Sequence, residues 1–282
     1  MSSNEPRVWV NGRLTGVDEP SIAALDHGVT VGDGAFETAK VDRGRVFAAT
    51  RHARRLDRTL AGLGLPAADH DYIAEGTKAV LEAGDEIEFG RLRYSVTGGA
   101  GPLGSDRDAS PLTYIVTAGS QPRPPESASV AVVPWTRNER SAVAGLKTTS
   151  YAENVVALAF AKERGAIEAV FANTRGELCE CTGSNIFVVV DGAILTPPLD
   201  SGCLAGITRE VTIEWCREDG MEVREETLPL DVLRVADEVF ITSSTKDVLA
   251  IHGVDDRPLE PGPVTARAAA VFARLCRERL DP

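Results

Sequence analysis

The feature that most limits how this chain can fold is Gly119-Ser120-Gln121-Pro122-Arg123-Pro124-Pro125, its densest proline cluster. Proline lacks an amide hydrogen and has a fixed φ, so such a run continues neither a helix nor a central strand. It divides 282 residues into two parts, each long enough to bury its own core. The expected organisation is a smaller N-terminal α/β domain over 1–118, a linker over 119–125 and a larger C-terminal domain over 126–282.

Hydrophobic periodicity sets the class. Before the linker, strands are predicted over 8–10, 35–41 and 46–47, with Asn11-Gly12 as a turn. Leu56, Leu60 and Leu63 repeat at i, i+4, i+7, which predicts a helix over 51–63. A second helix follows over 71–83. Strands over 91–97 and 112–118 flank the glycine-rich 98–104. Beyond the linker, strands over 128–133, 169–171, 186–190 and 238–242 alternate with helices over 151–164, 208–218 and 264–280. The expected fold class is α/β (α+β), in two domains with a cleft between them.

Composition excludes several functions. A net charge of −12 argues against a nucleic-acid partner. Apolar runs such as 186–190 are strand-sized, so no membrane association is expected. The N-terminus shows no signal-peptide pattern, and the five cysteines are odd in number. Reduced thiols in a cytoplasmic protein are expected. Cys179 and Cys181 lack the second ligand pair that zinc requires, and no metal is expected.

Two ionisable residues stand out. Lys147 follows Gly145-Leu146 and precedes a polar turn that opens a helix. A lysine nucleophile needs a desolvated setting that leaves its amine neutral. Glu180 lies in the strand-like Cys179-Glu180-Cys181-Thr182-Gly183-Ser184-Asn185-Ile186-Phe187. A carboxylate entering such a run needs a partner if it is buried, and a protonated pyridine nitrogen would serve. Taken singly, Lys147 also reads as an exposed loop lysine and Glu180 as a strand-edge glutamate facing water.

Anion sites surround them. Arg51, Arg54, Arg55 and Arg58 form a basic helix face, either solvated or offering one planar fork to a phosphate. Gly206-Ile207-Thr208 opens a helix whose first amides and dipole favour an anion. Thr242-Ser243-Ser244-Thr245 follows a strand and offers hydroxyls and turn amides. The run 98–104 matches neither the P-loop nor the dinucleotide fingerprint.

In order along the chain, Gly32-Asp33-Gly34-Ala35-Phe36-Glu37, His52-Ala53-Arg54-Arg55-Leu56, Gly145-Leu146-Lys147, the segment from Glu180 to Phe187, Gly206-Ile207-Thr208-Arg209 and the segment from Phe240 to Thr245 resemble the fold-type IV pyridoxal-phosphate enzymes. These are the class IV aminotransferases, and the likeness spans nearly the whole chain. The resemblance implies a D-amino acid aminotransferase-like fold with pyridoxal 5'-phosphate between two domains, in a homodimer. It implies that Lys147 is the Schiff-base lysine and proton shuttle, and that Glu180 pairs with the pyridine nitrogen. It also implies that Arg55 anchors the phosphate with Ile207, Thr208, Ser243 and Ser244.

Gly32-Asp33-Gly34 looks more like the D-amino acid transaminase and lyase branches than the branched-chain one. Phe36 stands where the best-known D-amino acid transaminases carry a tyrosine, and 98–105 lacks the arginine and histidine with which those enzymes trap the carboxylate. Arg91 and Arg93, on one strand face, are candidates for that task, or external strand residues. His27 and Tyr151 are further candidates for the substrate pocket; His27 also reads as a capped surface histidine and Tyr151 as a helix start. The expected activity is amino transfer between D-amino acids, with (R)-primary amines as further donors, and 2-oxo acids. Aminodeoxychorismate lyase and branched-chain aminotransferase are the alternatives.

Overall fold

The computed structural model describes residues 5–282. The chain divides into two compact units, described separately here. The first holds the described residues through Arg123 together with Leu146–Tyr151 and Asp281; the second holds Pro124–Gly145, Ala152–Leu280 and Pro282.

The first unit is a six-stranded antiparallel sheet covered on one face by two helices. Its elements are β1 (Arg7–Val10), β2 (Arg13–Thr15), α1 (His27–Thr30), β3 (Gly34–Asp42), β4 (Arg45–Val46), α2 (Ala49–Leu63), α3 (His70–Glu82), β5 (Phe89–Thr97) and β6 (Thr113–Ser120). The strand order is β2-β1-β6-β5-β3-β4. Strand alternation sends Ala35, Ala39 and Val41 of β3, and Leu92, Tyr94 and Val96 of β5, to the helical face. There they are buried with Leu56 and Leu60 of α2 and Ile73 and Val80 of α3. Gly64 ends α2 at φ +69°, and its amide bonds back to Leu60, a left-handed cap that glycine adopts without strain.

β6 runs through Ser120, whose partner is Gly90. The proline cluster thus breaks the strand one residue after its Gly-Ser start.

Leu146–Tyr151 belongs to this unit although its flanking residues do not. It lies against the start of β3 through the Ala35–Thr148 bridge. The Phe36 amide donates to the Lys147 carbonyl at 3.0 Å, and the Thr149 amide to the Gly34 carbonyl at 2.8 Å. Glycine at 34 suits this packing, since a Cβ there would lie 3.1 Å from the Thr149 Oγ1 of the segment and 2.8 Å from the Val96 carbonyl oxygen of β5.

The second unit carries a nine-stranded mixed sheet. Its elements are β7 (Ser127–Arg137), α4 (Ala152–Lys162), β8 (Glu168–Asn173), β9 (Leu178–Cys181), β10 (Asn185–Val190), β11 (Ala193–Thr196), α5 (Ile207–Glu218), β12 (Val223–Glu225), β13 (Glu238–Ser243), β14 (Asp247–Val254), β15 (Arg257–Pro258) and α6 (Pro263–Glu278). The order is β12-β11-β10-β13-β14-β7-β8-β9, with β15 on β14. β10 and β13 are apolar on both faces because both faces are covered. Phe187 and Phe240 stack with centroids 4.7 Å apart on the side where Ile213 and Cys216 of α5 and Ala268 of α6 pack. Ile186, Val188, Val239 and Ile241 fill the opposite side.

Candidate active site

In the first unit, β3 and the Lys147 segment bring several of the candidate residues together. Phe36 and Tyr151 meet edge to face, centroids 5.0 Å apart. The Lys147 Nζ lies 4.4 Å from the Phe36 ring centroid and 3.5 Å from the Tyr151 hydroxyl. The Arg93 guanidinium lies over the same Phe36 ring at 3.7 Å. Both groups thus lie against the electron-rich face of one aromatic ring, which attracts positive charge. The Lys147 backbone is pinned from two sides, by the Phe36 amide and by the Thr59 hydroxyl of α2 at 3.3 Å. Arg91, two residues from Arg93, is exposed and donates to Gln121 at 2.8 Å.

On the helical face of the same sheet, Arg55 departs from the solvated arginine face of α2. Its Nε and a terminal nitrogen donate to the two oxygens of Glu37 at 2.8 and 2.6 Å. His52 Nδ1 reaches Glu37 at 2.6 Å. Residues 52, 55, 56, 59 and 60 make up the buried stripe of α2, so Arg55 shares its helix face with two core leucines.

Burial alone would push the Glu37 carboxyl up. The Arg55 guanidinium, its hydrogen bonds and His52 outweigh burial and bring it down from 4.5 to about 2. Burial lowers His52 below its ordinary value despite Glu37, which leaves the ring neutral at pH 7. Glu37 and His52 both lie inside the quoted motifs. The signal for their role was a charged residue on the inward face of an otherwise apolar strand.

His27 is 2% exposed, and its Nε2 faces the Pro102 carbonyl at 3.0 Å. Neighbouring Asp26 caps α1 by accepting from the Gly28 amide and also accepts from Thr97. His27 thus ties α1 to the 98–104 loop.

In the second unit, Glu180 is held at both oxygens. Oε2 accepts the Leu204 amide at 2.8 Å, and Oε1 lies 3.1 Å from the Arg137 Nε. Arg137 is itself fixed by Asn154 at 2.7 Å, by Glu153 and by the Phe171 ring, 4.2 Å from its guanidinium carbon. None of these partners of Glu180 was visible in the pattern of the sequence.

Two anion-receptive places lie in this unit. α5 begins at Gly206 without a side-chain cap, so Ile207 and Thr208 present first-turn amides at the positive end of a twelve-residue helix. A Cβ at 206 would lie 1.9 Å from Asn185 Oδ1, so only glycine allows that close packing. At the end of β13, Thr242 Oγ1 and Ser243 Oγ are buried hydroxyl oxygens without a hydrogen-bond partner among the described residues. The turn is fastened from behind: Lys246 donates to Glu168 at 2.7 Å. Glu168 also accepts from Thr182, Gly183 and Ser184, the turn that follows Glu180. Burial opposes ionisation of Glu168, but Lys246 and these hydrogen bonds hold it below the usual carboxylate value.

Residues 34–254 match the family Amino-transferase class IV. A Methanocaldococcus jannaschii protein, provisionally described as a branched-chain-amino-acid aminotransferase, is 30% identical over 94% of this chain and 95% of its own. A Listeria monocytogenes D-alanine aminotransferase is 31% identical over 94% of each chain. The crystal structure of a Brucella abortus aminotransferase bound to PLP is 26% identical, superimposes with a TM-score of 0.87 and matches over 96% of this chain and 99% of that one. The chain belongs to the class IV aminotransferases, the family of fold-type IV enzymes that use pyridoxal phosphate. It is a pyridoxal-phosphate-dependent transferase with amino and oxo acids as its substrates.

Proposed function

We propose that this enzyme moves amino groups between D-amino acids and 2-oxo acids, with (R)-primary amines as secondary donors. The observation that carries this reading is Arg93 and Lys147 meeting at one Phe36 ring. The arrangement supplies a cation for a substrate carboxylate beside the amine that does the chemistry. The several D-alanine aminotransferases among the relatives support the same reading.

The donor set fits the cofactor. The buried, unpartnered Thr242 and Ser243 hydroxyls and the uncapped start of α5 suit a phosphate. We assign that group to Arg55, Ile207, Thr208, Ser243 and Ser244, and the pyridine nitrogen to Glu180. When bound, pyridoxal phosphate supplies an electron sink for a negative charge at the substrate α-carbon.

The chain's own residues do the rest. The Lys147 amine would hold the cofactor and, when free, would accept the proton from the substrate α-carbon. The Tyr151 hydroxyl, 3.5 Å away, steadies that amine. Arg93 orients the carboxylate, and Phe36 forms an apolar wall that excludes water. Glu180, oriented by Leu204 and Arg137, presents a carboxylate for a ring N–H. Arg91 is engaged at Gln121 and receives no role here, and His27 a structural one.

The enzyme is proposed to act as a cytoplasmic homodimer. Val17, Ile22, Leu25, Val29, Val31 and Leu103, exposed apolar residues of the first unit, offer a surface for the partner.

A donor panel tests the activity. Holoenzyme given D-alanine is expected to release pyruvate only when 2-oxoglutarate is present. Faster turnover of L-leucine than of any D-amino acid would transfer the assignment to the branched-chain branch. Pyruvate and p-aminobenzoate formed from aminodeoxychorismate without an acceptor would transfer it to the lyase.

A further inference from the structure

A cleft of about 780 Å³ opens in the first unit between α2, α3 and the strands beneath them. Its volume lies in the range of small-molecule sites. Ala39 and Leu92 from the sheet, Val46 and Ala53, and Ile73 and Leu81 of α3 give it apolar walls. His70, Lys78, Glu82 and Glu86 stand exposed at its rim with charges of both signs. The rim thus selects for neither anions nor cations.

Two buried polar side chains line this cleft, His52 at 1% and Tyr94 at 6% exposure. Tyr94 sits opposite Glu37 in the β3–β5 register. His52 commits Nδ1 to Glu37 at 2.6 Å. Among the described residues, neither His52 Nε2 nor the Tyr94 hydroxyl has a hydrogen-bond partner. Donation from Nδ1 to a carboxylate leaves Nε2 of the neutral ring a bare acceptor. Burial beside Glu37 pushes the Tyr94 phenol up, so it keeps its proton and can donate. The cleft thus offers one donor and one acceptor among apolar walls, and a ligand that meets both would replace water there.

We propose that this cleft binds a small neutral molecule with an apolar body and one hydroxyl, of the phenol class. Its hydroxyl donates to His52 Nε2 and accepts from the Tyr94 hydroxyl. Neutrality follows from the surroundings. Glu37 lies one hydrogen bond behind His52, its charge already matched by Arg55, so a second anion is repelled and a cation competes with that match. The site is separate from the residues assigned to catalysis, although His52 and Arg55 share one carboxylate.

The test is a titration of holoenzyme with 4-fluorophenol followed by fluorine NMR. Saturable binding is expected, and fluorobenzene, which lacks the hydroxyl, binds at least threefold more weakly. Tyr94→Phe is expected to weaken 4-fluorophenol three- to tenfold, as loss of one hydrogen bond does. Ala74→Trp, at an exposed cleft position on α3, fills the space and abolishes saturation with the melting temperature and transaminase rate unchanged. The proposal is overturned by an unsaturable signal, by equal binding of fluorobenzene, or by a titration that Ala74→Trp leaves intact. Water alone fills the cleft in the first case, and the probe sits elsewhere in the last. None of these readouts depends on which amino donor the enzyme prefers.

Discussion

Arg93 lies over the ring of Phe36, 3.7 Å from the centroid, and that ring also carries the Lys147 amine at 4.4 Å. One aromatic side chain therefore contacts both the proposed carboxylate partner and the proposed reacting nitrogen. Removing the guanidinium should cost binding only for substrates that own a carboxylate. Arg93→Ala is expected to raise KM for D-alanine about 10- to 100-fold, the range for a hydrogen-bonded charge. The rate on (R)-1-phenylethylamine should stay within about threefold, since that donor makes no such bond. Steady-state kinetics on the two donors decide it, and equal losses would strip Arg93 of the role.

The buried Glu37 carboxylate serves Arg55 and His52 together. Glu37→Gln keeps the shape and deprives Arg55 of that carboxylate. Breaking one side of a buried pair costs about 3–5 kcal/mol, which lowers the melting temperature by on the order of 10 °C. Calorimetry of wild type and variant checks this, and a change under 3 °C, outside that order of magnitude, contradicts it.

Acid should act on the same cluster in two windows. His52 has a folded value below its ordinary 6.5, so the unfolded chain takes up its proton first and stability falls as pH drops below 6.5. Glu37 titrates from 4.5 in the unfolded chain to about 2 in the fold. Its contribution is complete above 4.5 and disappears as pH falls toward 2. Urea midpoints measured against pH should show both declines, and His52→Gln should flatten the first. Identical upper slopes in the two proteins would remove His52 from the account.

Arg137 orients Glu180 through a 3.1 Å ion pair. Arg137→Met keeps much of the packing on Phe171 but lets the carboxylate turn. Cofactor affinity should drop about tenfold, and Arg137→Lys should restore part of it, because lysine keeps the charge but loses the planar fork. Absorbance titration of the apoenzyme with pyridoxal phosphate gives the two constants. Unchanged affinity in the methionine variant would leave Arg137 a purely structural residue.

Lys246 and Glu168 fasten the serine turn at 2.7 Å. Lys246→Met leaves a deeply buried carboxylate without its cation, so phosphate-end binding should loosen and the protein should lose about 3–5 kcal/mol. Inorganic phosphate competing with the cofactor measures the first effect and urea unfolding the second. Intact phosphate competition with lowered stability would confine Lys246 to the fold.

Local pattern was enough for the long elements. The leucine repeat of α2, the apolar β3 and the alternating strands and helices after the prolines carry their structure in spacing, because helix and strand periods are short-range properties. Short strands without such a period, β2, β11, β12 and β15, were not legible. β14 was hidden too, because Thr242-Ser243-Ser244-Thr245 reads as a turn and nothing local says that a strand resumes.

The chain by itself determined the family and the order of its motifs, and these made Lys147, Glu180 and Arg55 the residues expected at the site. Only the tertiary structure decided which groups hold them. Arg55 reaches Glu37 across 18 positions, and the Lys147 amide reaches Thr59 across 88. It also separated Arg93 from Arg91, which share a strand face, by placing Phe36 beside one and Gln121 beside the other. The physical reason is that burial and hydrogen bonding depend on which distant strand or helix arrives opposite a side chain. Neither residue type nor spacing records that.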